Sequence, residues 1–163
     1  VPSRTIANLH ASTTIRLSDI PNIVGVKEAS GDFDQIAQIL AGVKDDFLVW
    51  SGNDSDTFGL MSLGGYGVIS VASHLVGKQI SSMMSEILKG NIKKAAAEHQ
   101  TLLPISKGLF VLSNPVPVKY CVNMAGFAVG KVRLPLVDVD DSTAVFLEEL
   151  MSGYAVDLPI LVP

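Results

Sequence analysis

One lysine lies where the chain could use it for chemistry. Lys27 follows the short apolar run of residues 24–26, and the turn-forming residues 30–32 come soon after it. An ammonium group at the end of a buried strand is costly to desolvate, so its presence there needs a reason. Burial lowers the pKa of a lysine, and the neutral amine that results can condense with a ketone to form a Schiff base. The ordinary alternative is a lysine that extends to solvent or pairs with Glu28 or Asp32.

Arg4 is a second candidate. It lies in the segment Val1–Thr5, which we predict to be a loop just past a strand. We expect this arginine at the same rim as Lys27, where its guanidinium group can hold a carboxylate through two parallel hydrogen bonds. The alternative is an ordinary surface ion pair.

Three short strand–helix units are predicted to position these residues. The first strand ends at Lys27 and leads into a helix over 33–40, while further strands span 47–52 and 67–72. Apolar strands that alternate with helices are typical of an α/β fold with a parallel sheet, and their spacing fits part of a (β/α)8 barrel. In such barrels the functional groups lie at the carboxyl ends of the strands.

Polar residues just before three predicted helices can cap them. Asp32 precedes the first of these helices, and Asp54 or Ser55 precedes the second. Asp141 or Ser142 precedes a helix near the end of the chain. Side-chain oxygens of these types accept hydrogen bonds from the first free N–H groups of a helix.

The pattern changes after Gly77. Apolar residues at helical spacing predict a carboxyl half that is helical and contains no strand. We therefore divide the chain into a partial barrel segment over 1–77 and a region over 78–163 that holds the last barrel helix and a helical carboxyl-terminal extension. The extension is predicted to contain a helix ended by Gly90, a long helix over 92–112 bent near Pro104, a helix over 118–124, a loop over 133–140, a last helix through Ser152 and an irregular tail over Leu158–Pro163.

Composition limits the possible classes of function. The chain has 163 residues, of which 48% are hydrophobic, and a net charge of −4. This balance fits a globular core and gives no electrostatic basis for binding nucleic acid or an anionic membrane. The single cysteine, Cys121, excludes an internal disulfide and indicates a reduced, cytoplasmic compartment. No signal segment is visible, and glycines interrupt the uncharged stretch over 57–77, which a turn and a strand explain better than a membrane span.

No metal or cofactor motif is found. The three histidines are scattered, without the spacing of metal ligands. Asp138, Asp140 and Asp141 lack the glycine and glutamate of a calcium loop. The glycine-rich residues 64–67 precede a strand, whereas a dinucleotide-binding motif follows one.

Five segments together resemble the dihydrodipicolinate synthase family of pyruvate-dependent class I aldolases, which also includes N-acetylneuraminate lyase. These segments are Val1–Thr5, Gly25–Asp32, Ser51–Asp54, Gly67–Val71 and Asn114–Lys119. The resemblance covers the whole chain but only about the second half of the family's protein. It implies three of the eight strands of a (β/α)8 barrel, followed by the helical extension.

The resemblance also implies roles for four residues. Lys27 would form the imine with pyruvate, and Arg4 would bind the carboxylate of aspartate semialdehyde. Gly52 and Ile69 would line the pyruvate pocket, Ile69 through its backbone carbonyl. No metal or organic cofactor is implied. Ile6 departs from the family's usual glycine after Arg-Thr, which alters the rim near Arg4.

The family's proton relay, built from two tyrosines and a threonine pair, has no counterpart in the five segments. Tyr66, Tyr120 and Tyr154 lie outside the matching motifs. We therefore expect the chain alone to be inactive or impaired in lysine biosynthesis. Strands with unpaired edges should associate, either with a complementary amino-terminal half or with further copies of the chain, unless the extension helices fold over the open face. The alternative function is a non-catalytic homologue that acts as a homo-oligomeric structural or interaction protein.

Overall fold

A computed structural model describes residues 1–157, and the tail predicted over Leu158–Pro163 lies outside the described residues. The chain divides into two compact units. The first contains Val1–Ser70 and Glu86–Ile92, and the second contains Val71–Ser85 and the chain from Lys93 on. All four residues predicted to form the site belong to the first unit. The predicted division into segments 1–77 and 78–163 remains a prediction.

Strands and helices alternate in the first part of the chain, from the first strand on, and the second part contains only helices among the described residues. In order, they are α1 (Pro2–Thr5), α2 (Ala11–Leu17), β1 (Gly25–Glu28), α3 (Phe33–Gly42), β2 (Leu48–Ser51), a 3₁₀ turn (Asp54–Asp56), α4 (Thr57–Ser62), β3 (Gly67–Val68), α5 (Ser73–Leu88), α6 (Ile92–Gly108), α7 (Val116–Met124) and α8 (Asp141–Ser152). Within residues 1–157, the predicted absence of strands from the carboxyl half is confirmed.

The sheet of the first unit is parallel, as predicted. Its strands lie in the order β1-β2-β3. Lys27 of β1 is paired with Trp50 of β2, which in turn is paired with Gly67 of β3. Paired residues of a parallel sheet project from the same face, so Lys27 and Trp50 share one face. β3 is shorter than the predicted strand over 67–72.

The opposite face of the sheet packs on helices. Helix α3 begins after Asp32, whose carboxylate accepts hydrogen bonds from the N–H groups of Asp34 and Gln35, each at 3.0 Å. The predicted Asp32 cap is therefore confirmed. The apolar stripe of α3 contributes Ile36 and Ile39 to a buried core. The buried members of this core are Ala11, Ile36, Ile39, Phe47, Val49 and Leu60.

Three local predictions are wrong. The segment predicted as a loop over Val1–Thr5 contains α1, whose proline at the first turn suits a helix start. The N-cap of α4 is Asp56, at the end of the 3₁₀ turn and without a side-chain capping hydrogen bond, and not the predicted Asp54 or Ser55. The cap of α8 is Asp140, one residue earlier than predicted.

Tyr154 completes the backbone hydrogen bonding of α6 in the second unit. Pro104 lies inside this helix and has no N–H group to donate. The Tyr154 hydroxyl donates to the carbonyl oxygen of Thr101 at 2.7 Å and accepts from the N–H of Ile105 at 3.3 Å. Those two groups would bond directly in an uninterrupted helix. A side chain inserted into the hydrogen bonds of a helix is a known cause of helix bending. The insertion lies next to Pro104, where the bend is predicted.

No described helix is long and apolar enough to cross a membrane.

Candidate active site

The carboxyl end of β1 carries Lys27 next to the end of β2. Gly52 follows β2, and its N–H donates to the carbonyl oxygen of Glu28 at 2.6 Å. A Cβ atom on residue 52 would lie 2.9 Å from Cε and 3.1 Å from Cγ of Lys27. It would also lie 2.6 Å from the Cβ of Ala29. The lysine stem therefore crosses the backbone of residue 52 at a distance that only glycine allows.

Ile69 lies at the neighbouring strand end. It follows β3, and its N–H donates to the carbonyl oxygen of Ser51 at 2.9 Å. Its side chain is half exposed. Gly52 and Ile69 thus lie at the same carboxyl-terminal end of the sheet, just past the neighbouring strands β2 and β3. The role of the Ile69 carbonyl in a pyruvate pocket remains a prediction.

Lys27 is exposed, which contradicts the expectation that its strand is buried. β1 is an edge strand, because among residues 1–157 it pairs with β2 alone. Val24, just before it, is 65% exposed. Helix α3 and its neighbours cover one face of the sheet, and Lys27 lies on the other face, where the described residues leave it exposed.

The two carboxylates proposed as ordinary partners of Lys27 bond to other groups. Glu28 accepts hydrogen bonds from the N–H of Ser30 at 2.6 Å and from the side-chain amide of Gln35 at 3.1 Å. Asp32 caps α3. Neither carboxylate forms an ion pair with Lys27 in the part of the chain that the structure describes.

Arg4 lies on α1, a separate element outside the sheet. Neither Arg4 nor any other residue of α1 is buried. The helix ends at Ile6, which adopts the left-handed conformation with φ 54° and ψ 24°. Further along, the Asn8 amide donates to the side-chain oxygen of Gln35 at 2.7 Å, which ties this segment to α3.

Sequence reasoning missed the role of Glu28. This carboxylate is 7% exposed and points toward α3, on the strand face opposite Lys27. The sequence did contain an indication, because successive residues of a strand lie on opposite faces and Lys27 and Glu28 therefore cannot both face solvent on the same side. A charged residue on the packed face of a strand requires hydrogen-bond donors.

Other polar clusters have structural partners. Within residues 1–157, no group of three or more His, Cys, Asp and Glu side chains could hold a metal ion. Asp138 pairs with Lys131 at 3.1 Å, and Asp140 caps α8. Cys121 is buried, and burial raises the pKa of its thiol to about 11, which keeps it protonated at neutral pH.

The fold and this site define a class: an α/β protein with parallel strands and a lysine at a strand's carboxyl end. A sequence model of the Dihydrodipicolinate synthetase family matches residues 1–153. The chain therefore belongs to this family.

Individual relatives agree with that assignment. The 4-hydroxy-tetrahydrodipicolinate synthase of Dehalococcoides mccartyi is 57% identical over 160 residues, which are 98% of this chain and 54% of the relative. The crystal structure of the Cyanidioschyzon merolae synthase, with lysine bound, matches with a TM-score of 0.91 and 41% identity over 94% of this chain and 52% of its own. The Acinetobacter baumannii synthase, complexed with pyruvate, matches with a TM-score of 0.89 and 31% identity over 94% of this chain and 53% of its own. The chain thus spans about half the length of the relatives it matches.

Proposed function

We propose that this chain is the part of a 4-hydroxy-tetrahydrodipicolinate synthase that carries the Schiff-base lysine, the family's carboxyl-terminal portion. The Lys27 amine adds to the keto carbon of pyruvate, and loss of water leaves an iminium ion. Loss of a proton from the neighbouring methyl carbon gives an enamine. The enamine carbon then attacks the aldehyde carbon of aspartate semialdehyde, which forms the new carbon–carbon bond.

The observation that carries this proposal is the contact between Lys27 and Gly52. It holds the lysine stem against the backbone at the carboxyl end of the sheet, where barrels of this class place their reactive groups. An exposed lysine without protein contacts would sample many rotamers, whereas the backbone of residue 52 restricts the Lys27 side chain on one side.

Arg4 and Ile69 complete the proposed site. The Arg4 guanidinium binds the carboxylate of the aldehyde substrate, and the Ile69 carbonyl lines the pyruvate pocket. The five matching segments and the family assignment support these roles.

Turnover is proposed to need more protein than this chain. Lys27 is exposed, and an exposed site does not exclude water from the reacting groups. β1 also has an edge that no strand pairs with among the described residues. We propose that the complementary portion of the synthase pairs with this edge, covers the amine and supplies the proton relay.

The same exposure favours a second candidate, a non-catalytic homologue that associates with copies of itself. Exposed Val24, Tyr66 and Ile69 would be covered in such an assembly. Light scattering distinguishes the two candidates only together with a chemical test, because both predict association.

The chemical test is reductive trapping. The chain is incubated with pyruvate and sodium borohydride, and the mass of the peptide that contains Lys27 is measured by mass spectrometry. The proposal predicts an adduct on this peptide that Lys27→Arg abolishes and Lys44→Arg, at another exposed lysine of the same unit, leaves intact. Equal labelling of Lys27 and Lys44 would contradict the proposal and favour the non-catalytic alternative.

A further inference from the structure

The Glu28 carboxylate is buried one residue after Lys27 and is held by two donors. One oxygen accepts from the N–H of Ser30, in the turn that follows β1, at 2.6 Å. The other accepts from the Gln35 amide at 3.1 Å. A desolvated carboxylate is unfavourable unless donors surround it, so both contacts are needed to hold it there. The result is a fixed geometry between β1 and α3.

Gln35 extends this network to the segment that carries Arg4. Its side-chain oxygen accepts from the Asn8 amide at 2.7 Å, and its own amide donates to the Asn8 oxygen at 3.4 Å. Gln35 is itself 7% exposed, so both of its polar ends are engaged within the protein. Asn8 lies four residues after Arg4, at the end of a segment whose helix buries no residue.

We propose that Asn8, Gln35 and Glu28 are positioning residues that fix the distance between the Arg4 guanidinium and the Lys27 amine. This inference rests on the proposed function. The reaction needs the aldehyde carbon at the enamine while the distal carboxylate is bound, so that distance determines which chain length of substrate fits. Carboxylate recognition, and not the reactivity of the amine, is what the network controls.

The test compares ligands with one and two carboxylates. Pyruvate reports on Lys27 alone. Linear 2-oxo diacids report on Lys27 and a distant carboxylate together, and the series 2-oxoglutarate, 2-oxoadipate and 2-oxopimelate varies their separation. The rate of borohydride trapping on the Lys27 peptide is measured for each compound. We expect one diacid to be trapped faster than pyruvate in the unaltered chain.

Gln35→Glu places a second carboxylate against Glu28. We expect it to reduce the preference for that diacid by about tenfold, the effect of losing one charged hydrogen bond, while pyruvate trapping stays within about twofold. The double variant Glu28→Gln with Gln35→Glu remakes the bonds with donor and acceptor exchanged, and should restore the preference. Gln38→Glu, at an exposed position of the same helix, is the matched control.

Asn8→Ala gives an independent test at an exposed position, where global unfolding is not expected; Asn22→Ala is its control. It should reduce the diacid preference as Gln35→Glu does. Loss of pyruvate and diacid trapping in parallel, or an unchanged preference in both variants, would overturn the positioning role. Pyruvate trapping without any diacid preference in the unaltered chain would overturn the positioning role alone. No trapping of either compound would overturn the proposed function and this role with it.

Discussion

At the scale of single residues, the proposed site combines a lysine with a glycine that lies close to it. Lys27 and Gly52 were singled out from the sequence by their motifs, and the structure brings them into contact. The exposure of Lys27 could not be predicted, because alternation along β1 shows which residues share a face but not what covers that face. Glu28 was missed because its partner Gln35 lies on the next helix, and only the folded chain shows the bond.

Gly52→Ala tests the close approach. The added Cβ would lie within 3.1 Å of two lysine atoms and of Ala29, so the lysine stem must move. We expect a destabilisation of about 1–3 kcal/mol from overpacking and a slower trapping of pyruvate on Lys27. Urea unfolding and the trapping rate measure the two effects.

Gly77→Ala is the control for this change, since its nearest neighbours would be at 3.8 Å, an ordinary contact. An unchanged trapping rate in Gly52→Ala would show that the reactivity of Lys27 does not depend on its close approach to residue 52.

Ile6→Gly tests the strain at the end of α1. Ile6 has φ 54° and is 97% exposed, and a β-branched residue rarely adopts this conformation. The substitution should stabilise the segment by about 0.5–1 kcal/mol, after allowing for the freedom that glycine loses on folding. Amide hydrogen exchange over residues 4–8 should slow by about two- to fivefold. Ile20→Gly, where the φ angle is not positive, should give no such protection, and faster exchange in Ile6→Gly would contradict the account.

At the scale of elements, the sequence predicted the order and type of the main helices and strands well and their ends poorly. Apolar periodicity identified β1, α3 and the helical carboxyl half because burial of one face is a property of the whole segment. The cap of α8 was misplaced by one residue because Asp140, Asp141 and Ser142 are all good caps, and only the backbone conformation decides among them.

The Asp140 cap makes the stability of α8 depend on pH. Its pKa is lowered by the hydrogen bond from the backbone N–H of Thr143 and then by bonds from the Thr143 and Ser142 side chains. A lowered pKa in the folded state means that the charged form stabilises the fold. That contribution is present above the ordinary aspartate pKa of about 3.9 and is lost as the pH falls through the lower value.

Asp140→Asn keeps a good cap without a titrating group. Urea unfolding at neutral pH and near pH 3 should therefore show a smaller acid-induced loss of stability in Asp140→Asn than in the unaltered chain. An equal loss in both proteins would show that this carboxylate does not contribute.

Tyr154→Phe tests whether the Tyr154 hydroxyl stabilises α6 where its backbone hydrogen bonding is interrupted. Removing the hydroxyl leaves the Thr101 carbonyl and the Ile105 N–H without their shared partner. We expect a destabilisation of about 1–3 kcal/mol and faster hydrogen exchange at the Ile105 amide. Tyr66→Phe, at an exposed tyrosine, is the control and should change neither quantity. A normal exchange rate at Ile105 in Tyr154→Phe would show that water replaces the hydroxyl without cost.

At the scale of the whole molecule, the family assignment and the exposed amine must be explained together. The chain spans about half of its relatives, and the described sheet ends at β1 with an unpaired edge. Turnover, in contrast to imine formation alone, needs a site that excludes water from the reacting groups, and protein that covers the β1 edge would provide one. The requirement for further protein is thus the central claim about this chain.

Complementation tests that claim most directly. The purified chain is mixed with the portion of the Dehalococcoides mccartyi synthase that it does not match, and condensation of pyruvate with aspartate semialdehyde is measured. We predict activity in the mixture that neither part shows alone and that Lys27→Arg in this chain removes. Full activity of the chain alone would contradict the need for further protein, and activity that survives Lys27→Arg would contradict the assigned lysine.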